Sequence, residues 1–377
     1  MADEVLARSA SGDRMVAALT RCQDIHAGAT THPLCCEHKA ELERSINRHT
    51  YVDPRAGRRL FKSLADEVLG SRLDHRESTR VRDSAVMRSL VLPTFGDLQL
   101  NAVTPYQIES WIASLVRLGK SPATIRKAYE LLAGVFRVAV RDSTLARTPC
   151  RDIRLPPSQH REMRFLQPEE IDLLLGAIEE RHEAMVLLGA YGGLRFGEMA
   201  GLRINEDLDL LRRRVTINRT LVEVSGNVKF GPPKTAASRR TVALPEFVVD
   251  AIAVRLSANP ATANGLVFTS AEGLPLRRTN FGRRVWRPAV DASVGQPMRT
   301  HDLRHSHVAI LIAQAEHPKT IAARLGHTSV KQVLDRYGHV FEGLDLAAAD
   351  GLNAAFLQRR ADSARTESGL QASPHAS

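Results

Sequence analysis

Cysteine is scarce: the 377 residues hold four, Cys22, Cys35, Cys36 and Cys150. So few thiols in so long a chain cannot frame a disulfide scaffold, which points to a reducing compartment. Long apolar runs are missing too. Val308-Ala309-Ile310-Leu311-Ile312-Ala313 is among the longest and stops at Gln314, well short of the roughly 20 residues that cross a bilayer. The opening Met1-Ala2-Asp3-Glu4 has no basic segment leading into an apolar one, so no secretory signal is read there. The expectation is a soluble cytoplasmic protein with no membrane partner. No carboxylate cluster accompanies the histidines, which disfavours a metal-dependent nuclease, and no internal repeat is evident.

What is present is positive charge. Lys and Arg number 52 against 42 Asp and Glu, giving a formal charge of +10 and a pI near 9.8, an excess that suits a polyanionic partner. With 43% hydrophobic and 25% charged residues the chain is globular, and its length favours two or three domains.

Residues 1–50 show no sustained period and receive no fold. From 51 to 157 the pattern becomes helical, with Phe61, Leu64, Val68 and Leu69 as a first apolar repeat. Thr104-Pro105 and Ser121-Pro122 each pair a hydroxyl N-cap with a proline at the first helical position, where its missing N–H costs nothing. The first should turn Ile108, Trp111, Ile112 and Leu115 inward; the second should bury Ile125, Ala128, Leu132, Val135, Phe136 and Ala139. Arg126, Lys127 and Arg137 lie off that stripe. Such cations usually mark a solvated face. Pro156-Pro157-Ser158-Gln159 denies backbone donors and reads as the linker to a second domain over 158–358. There helices are expected from Gln167-Pro168 and over 183–191, and strands over 214–218, 220–224 and 241–245, with Ser225-Gly226-Asn227 as a turn. Residues 359–377 read as a disordered tail.

Through that second domain run Arg195, Lys234, His301, Arg304, His327 and Tyr337, in that order. Cutting a phosphodiester without water requires a nucleophile, positive charge on the non-bridging oxygens and an acid for the leaving hydroxyl. Tyr337 is the candidate nucleophile, although Val330, Val333 and Leu334 share its helical stripe and would equally suit a core tyrosine. Arg195 follows Gly192-Gly193-Leu194, and Arg304 stands three residues after His301, so two guanidinium forks could grip one phosphate. His301 and His327 are candidates for handling protons. Lys234 lies in a polar connection between strands, with Lys229 and Arg239 as nearby competitors and Arg240 beside them.

Gly193-Leu194-Arg195 with Glu198, His301 through Arg304, Leu325-Gly326-His327-Thr328-Ser329, and Tyr337 ten positions after His327 together resemble the signature of the tyrosine recombinases, the phage-integrase-like family. The resemblance is specific over roughly 161–352 and diffuse over 51–157. It implies a mainly α protein with a small antiparallel β-sheet: a helical core-binding domain followed by a mixed α/β catalytic domain. It also implies attack by Tyr337 to form a 3′-phosphotyrosyl link, with Arg195, Arg304 and His327 stabilising charge, His301 assisting the tyrosine proton, Lys234 protonating the leaving oxygen and Glu198 in support. Lys120, Arg126, Lys127, Arg239 and Arg240 are the expected DNA-binding cations. No cofactor or metal is implied. The expected partners are double-stranded DNA with paired recombination sites, further copies of the chain in a synaptic homotetramer, and accessory DNA-bending proteins, which places the protein at the nucleoid. The stretch through Phe341, Leu344, Leu346, Leu352, Phe356 and Leu357 could be exchanged between protomers or dock within its own chain.

Two other readings compete: a catalytically silent DNA-binding regulator on the same fold, and a type IB topoisomerase-like relaxing enzyme. The first has no need of a phenol opposite two histidines; the second shares the chemistry and differs in needing no paired sites. Cys22, His26, His32, Cys35, Cys36 and His38 stand outside this account, and their spacings match no paired Cys-x-x-Cys zinc site.

Overall fold

The computed structural model describes residues 55–157, 163–262, 264–338 and 349–360. The Cys and His cluster before residue 50, His339, and Phe341, Leu344 and Leu346 lie outside these residues. Two compact units divide between His160 and Arg161, a few residues after Pro156-Pro157.

The first unit is helical. α1 (Phe61–Gly70), α2 (Glu77–Val86), α3 (Pro105–Arg117) and α4 (Pro122–Arg141) enclose one core, in which the Phe61 ring stands 5.5 Å from that of Phe136 and Phe95 meets Trp111 edge-on at 5.4 Å. Both expected caps form. Thr104 and Gln107 make a reciprocal capping box, and the Ser121 hydroxyl accepts from the Thr124 amide. The residues expected to face inward on α3 and α4 are all buried. After α2 the chain passes through a π-helical turn, Met87–Val91, before the short helix Leu92–Phe95. Pro93 explains it, because a proline offers no amide to the carbonyl four residues back and its ring crowds that position. Trp111 donates its indole N–H to the Leu90 carbonyl within that turn at 2.9 Å.

The second unit places α5 (Pro168–Ala177) and α6 (Glu180–Gly192) ahead of two small antiparallel sheets. β1 (Leu208–Asp209), β2 (Arg214–Ile217) and β5 (Arg240–Ala243) form one, with Val215 opposite Val242 and Thr216 opposite Thr241. β3 (Thr220–Val224) and β4 (Asn227–Gly231) form a hairpin whose turn, Ser225 and Gly226, has positive φ at both positions. β1 and β4 were not expected. β4 hides no alternate side chain from water, so it carries no buried period to read. The third expected strand begins at Arg240 and ends at Ala243.

Helices α7 (Phe196–Met199), α8 (Glu246–Ala258), α9 (Arg287–Ser293), α10 (Asp302–Ala313), α11 (Pro318–Leu325) and α12 (Lys331–Tyr337) also belong to the unit, with single-turn helices at Ile204–Asp207 and Arg278–Phe281. A second π turn, Gly282–Trp286, again stands just ahead of a proline, Pro288. The main core runs from Leu166 to Leu303, and a smaller one gathers Val308, Ile312, Ile321, Leu325, Val333 and Tyr337. Residues 349–360 form a helix on which Leu352, Phe356 and Leu357 are exposed. That helix extends two residues into the stretch expected to be a disordered tail; 361–377 lie outside the described residues.

Candidate active site

Four segments far apart in sequence converge in the second unit. α6 ends at Gly193, whose φ of +69° turns the chain left-handed and so buries Leu194 and presents Arg195. A side chain at 193 would also be obstructed: a Cβ there would lie 2.5 Å from Cδ2 of buried His307. Glu198 closes the turn by accepting from the Arg195 amide at 2.9 Å and from its Nη1 at 2.8 Å.

Arg240 reaches the same carboxylate, Nη1 to Oε1 at 3.2 Å and Nη2 to Oε2 at 3.0 Å. Burial would raise the Glu198 pKa, but the hydrogen bonds and charge of Arg240, with the charge and amide of Arg195, outweigh it and hold the group down to about 2. Glu198 is thus an anion wedged between two guanidinium groups. Arg195 remains 38% exposed, whereas Arg240 is 6% exposed. Arg240, expected as a DNA contact, braces Glu198 and donates its Nε to the Arg324 carbonyl at 2.6 Å.

α10 carries the second group. His301 caps it, and Arg304, 3% exposed, donates through Nη1 to the Gly193 carbonyl at 2.5 Å and through Nη2 to the Leu325 carbonyl. One guanidinium therefore ties the Gly193 turn to the end of α11. Gly326, with φ +65°, follows at once and presents His327; its Cβ position lies 2.8 Å from the Ala237 carbonyl, in the connection that bears Lys234. Burial lowers His301 to about 4, with His305, Arg304 and Arg195 adding to it. Burial lowers His327 likewise to about 4, with Arg304 and Arg195 adding. Both imidazoles are neutral near pH 7, and Nδ1 of His327 is a buried polar atom with no hydrogen-bond partner among the described residues.

Tyr337 ends α12 with its ring in the smaller core, 2% exposed. Its hydroxyl lies 2.6 Å from Nδ1 of His305. Burial raises the phenol's pKa, while the charges of Arg304, Arg336 and Arg195 pull it down, so the field of both candidate phosphate clamps reaches this oxygen. Lys234 is exposed between β4 and β5, and no hydrogen bond or ion pair among the described residues ties it to this group. The fold thus gathers Arg195, His301, Arg304, His327 and Tyr337, supported by Glu198.

His305 carried no role in the sequence reading. The signal was its spacing of four from His301, which on a helix puts both rings on one face. Of the remaining expected DNA contacts, Lys120, Arg126 and Arg239 are exposed. Lys127 instead sets its amine 2.9 Å from a carboxylate oxygen of buried Asp83. Among the described residues no group of three or more His, Cys, Asp or Glu could hold a metal ion, and no helix is long and apolar enough to cross a membrane.

Residues 164–343 match the phage integrase family. The chain is 28% identical over 285 residues to the integrase of Mycobacterium phage L5, covering 74% of this chain and 75% of that one. It is 26% identical over 339 residues to the ICEBs1 integrase of Bacillus subtilis strain 168, covering 86% and 92%. In fold it is similar to the Tn1549 transposon integrase in complex with transposon right end DNA, with TM-score 0.67 and 21% identity over 79% of this chain and 100% of that one. It is also similar to a lambda integrase tetramer bound to a Holliday junction, with TM-score 0.55 and 17% identity over 84% and 85%.

Proposed function

This chain belongs to the tyrosine recombinase (phage integrase) family, and we propose that it is a site-specific DNA recombinase that cuts and rejoins strands through a 3′-phosphotyrosyl link. The observation that carries the reading is that Arg195 and Arg304, whose charges both act on the Tyr337 oxygen, also act on two neutral imidazoles, His301 and His327.

The scissile phosphate sits against Arg195 and Arg304. Their forks match two non-bridging oxygens, and His327 adds a neutral donor as negative charge builds on phosphorus. Tyr337 attacks in line, His301 assists the phenol's proton, and Lys234, mobile on its exposed connection, protonates the departing 5′ oxygen. The phosphodiester becomes a phosphotyrosyl ester of similar energy, so rejoining needs no nucleotide. In the state described, the Tyr337 side chain is almost wholly covered.

Exchange requires two duplexes bearing paired sites, hence a homotetramer in synapsis; the lambda integrase tetramer on a Holliday junction supports that assembly. The relatives, the integrase of a mycobacterial phage and the ICEBs1 integrase of Bacillus subtilis, support a role in moving mobile DNA at the nucleoid, with DNA-bending proteins as accessories. A silent DNA-binding regulator or a relaxing topoisomerase is not favoured.

The test is a nicked suicide substrate, in which the cut strand diffuses away and strands the intermediate. A covalent protein–DNA adduct should accumulate in EDTA and vanish in Tyr337→Phe. An adduct that survives in that variant would move the nucleophile elsewhere, and failure to excise DNA between paired sites would remove the recombinase assignment.

A further inference from the structure

We propose that His305 receives the proton of the Tyr337 hydroxyl as that oxygen attacks phosphorus, a role that rests on the recombinase reading above. The contact is direct: Tyr337 Oη lies 2.6 Å from His305 Nδ1, inside the protein. A buried hydroxyl left without an acceptor costs about 1–3 kcal/mol. The phenol therefore donates and Nδ1 accepts, which fixes the resting imidazole as the tautomer protonated at Nε2. Such a ring is oriented as a base toward the one oxygen that must lose a proton. His301 meets the His305 ring edge to face at 4.8 Å between centroids, and the hydrogen bond of the phenol among the described residues is to His305.

The surroundings suit a base that is silent until substrate arrives. Burial holds the His305 imidazole down to about 4; Asp302 opposes this, and Arg336, Arg299 and Arg304 reinforce it. His301, the other titratable group against the ring, is neutral near pH 7. A phosphate bound to Arg195 and Arg304 brings negative charge that offsets the guanidinium groups and raises the basicity of the imidazole. The phenol meanwhile becomes a stronger acid as its oxygen bonds to phosphorus, so transfer accompanies attack.

The step balances. A bond forms between Tyr337 Oη and phosphorus as the bond from phosphorus to the 5′ oxygen breaks. The phenolic proton passes to Nδ1, giving an imidazolium beside Asp302, and the departing oxygen takes a proton from Lys234. Rejoining reverses both transfers: the incoming 5′-hydroxyl returns its proton to Lys234, and the imidazolium restores the phenol.

His305→Asn tests this, because an amide oxygen placed near the Nδ1 position keeps an acceptor for the phenol but cannot take its proton. Single-turnover adduct formation on the suicide substrate should fall by about 10²-fold or more near neutral pH. It should then recover steeply as pH rises and hydroxide removes the phenol's proton, and His305→Ala should regain adduct with added imidazole. Native speed and an unchanged pH profile in His305→Asn would overturn the proposal. So would faster adduct formation, which would make the contact a restraint on the nucleophile. Nitrogen-15 shifts of the His305 ring in the native chain give a check that needs no substitution: protonated Nε2 and bare Nδ1 are expected, and a proton on Nδ1 would sink the idea. Tyr337→Phe separates the two claims, since an adduct persisting there defeats the recombinase reading itself.

Discussion

Glu198 and Arg240 form a two-pronged ion pair sealed from water, with Nη2 to Oε2 at 3.0 Å and side chains 3% and 6% exposed. The carboxylate also holds Arg195, so the pair is the brace beneath a phosphate clamp. Because the folded pKa of about 2 lies below the ordinary 4.5, this group stabilises the fold fully above about pH 4.5, and the contribution disappears as pH falls toward 2. Glu198→Gln should cost on the order of 3 kcal/mol in urea denaturation at pH 7, with the gap from the native chain narrowing steadily below pH 4.5. A gap that stayed constant with pH would show that the carboxylate is not the charged partner described.

Lys234 is exposed, and no hydrogen bond or ion pair among the described residues joins it to the other candidates, so its role needs a chemical test. A substrate with sulfur in place of the bridging 5′ oxygen releases a thiolate that requires no proton. Lys234→Ala should form adduct about 10²-fold more slowly on the oxygen substrate and at near-native rate on the sulfur one. Equal defects on both would transfer the acid role to another group.

Gly193 and Gly226 both have positive φ, but only Gly193 is crowded, by His307. Gly226→Ala meets open space and should lose about 1 kcal/mol from backbone strain alone. Gly193→Ala should lose about 1–3 kcal/mol and also slow adduct formation, because the Gly193 carbonyl seats Arg304. Thermal melting with single-turnover assays distinguishes them, and equal effects of the two would contradict the packing described.

Arg126 and Lys127 are neighbours with different surroundings. Asp83 is 1% exposed and pairs with both Lys127 and Arg72, so Lys127→Ala should destabilise the first unit by about 1–3 kcal/mol. Arg126→Ala should leave stability within about 0.5 kcal/mol while lowering the salt dependence of DNA affinity by about one phosphate contact. Binding titrations from 50 to 200 mM salt read this directly; an unchanged slope would remove Arg126 from the interface.

The helices α3 and α4 were legible because a helix repeats its buried face every three or four residues. Ile108, Trp111, Ile112 and Leu115, and then Ile125 through Ala139, announce their own burial. The two π turns carried a readable signal in Pro93 and Pro288. β4 did not, since a strand with no hidden face leaves no alternation. The ion pairs of Lys127 with Asp83 and of Arg240 with Glu198 were not legible, because a cation's spacing along the chain does not reveal the carboxylate that folding brings to it.

The sequence by itself determined which groups are present and in what order: the glycine turn before Arg195, the step of three from His301 to Arg304, and the ten positions from His327 to Tyr337. Those are local facts, fixed by covalent spacing and helical period. Tertiary structure alone decided that Glu198 takes Arg240 from 42 residues away, that the imidazoles stay neutral, and that the Tyr337 hydroxyl rests on His305 from 32 residues away. Desolvation and Coulomb energy depend on distance through space and on everything packed around a group, and neither is written in the interval between two residues of a chain.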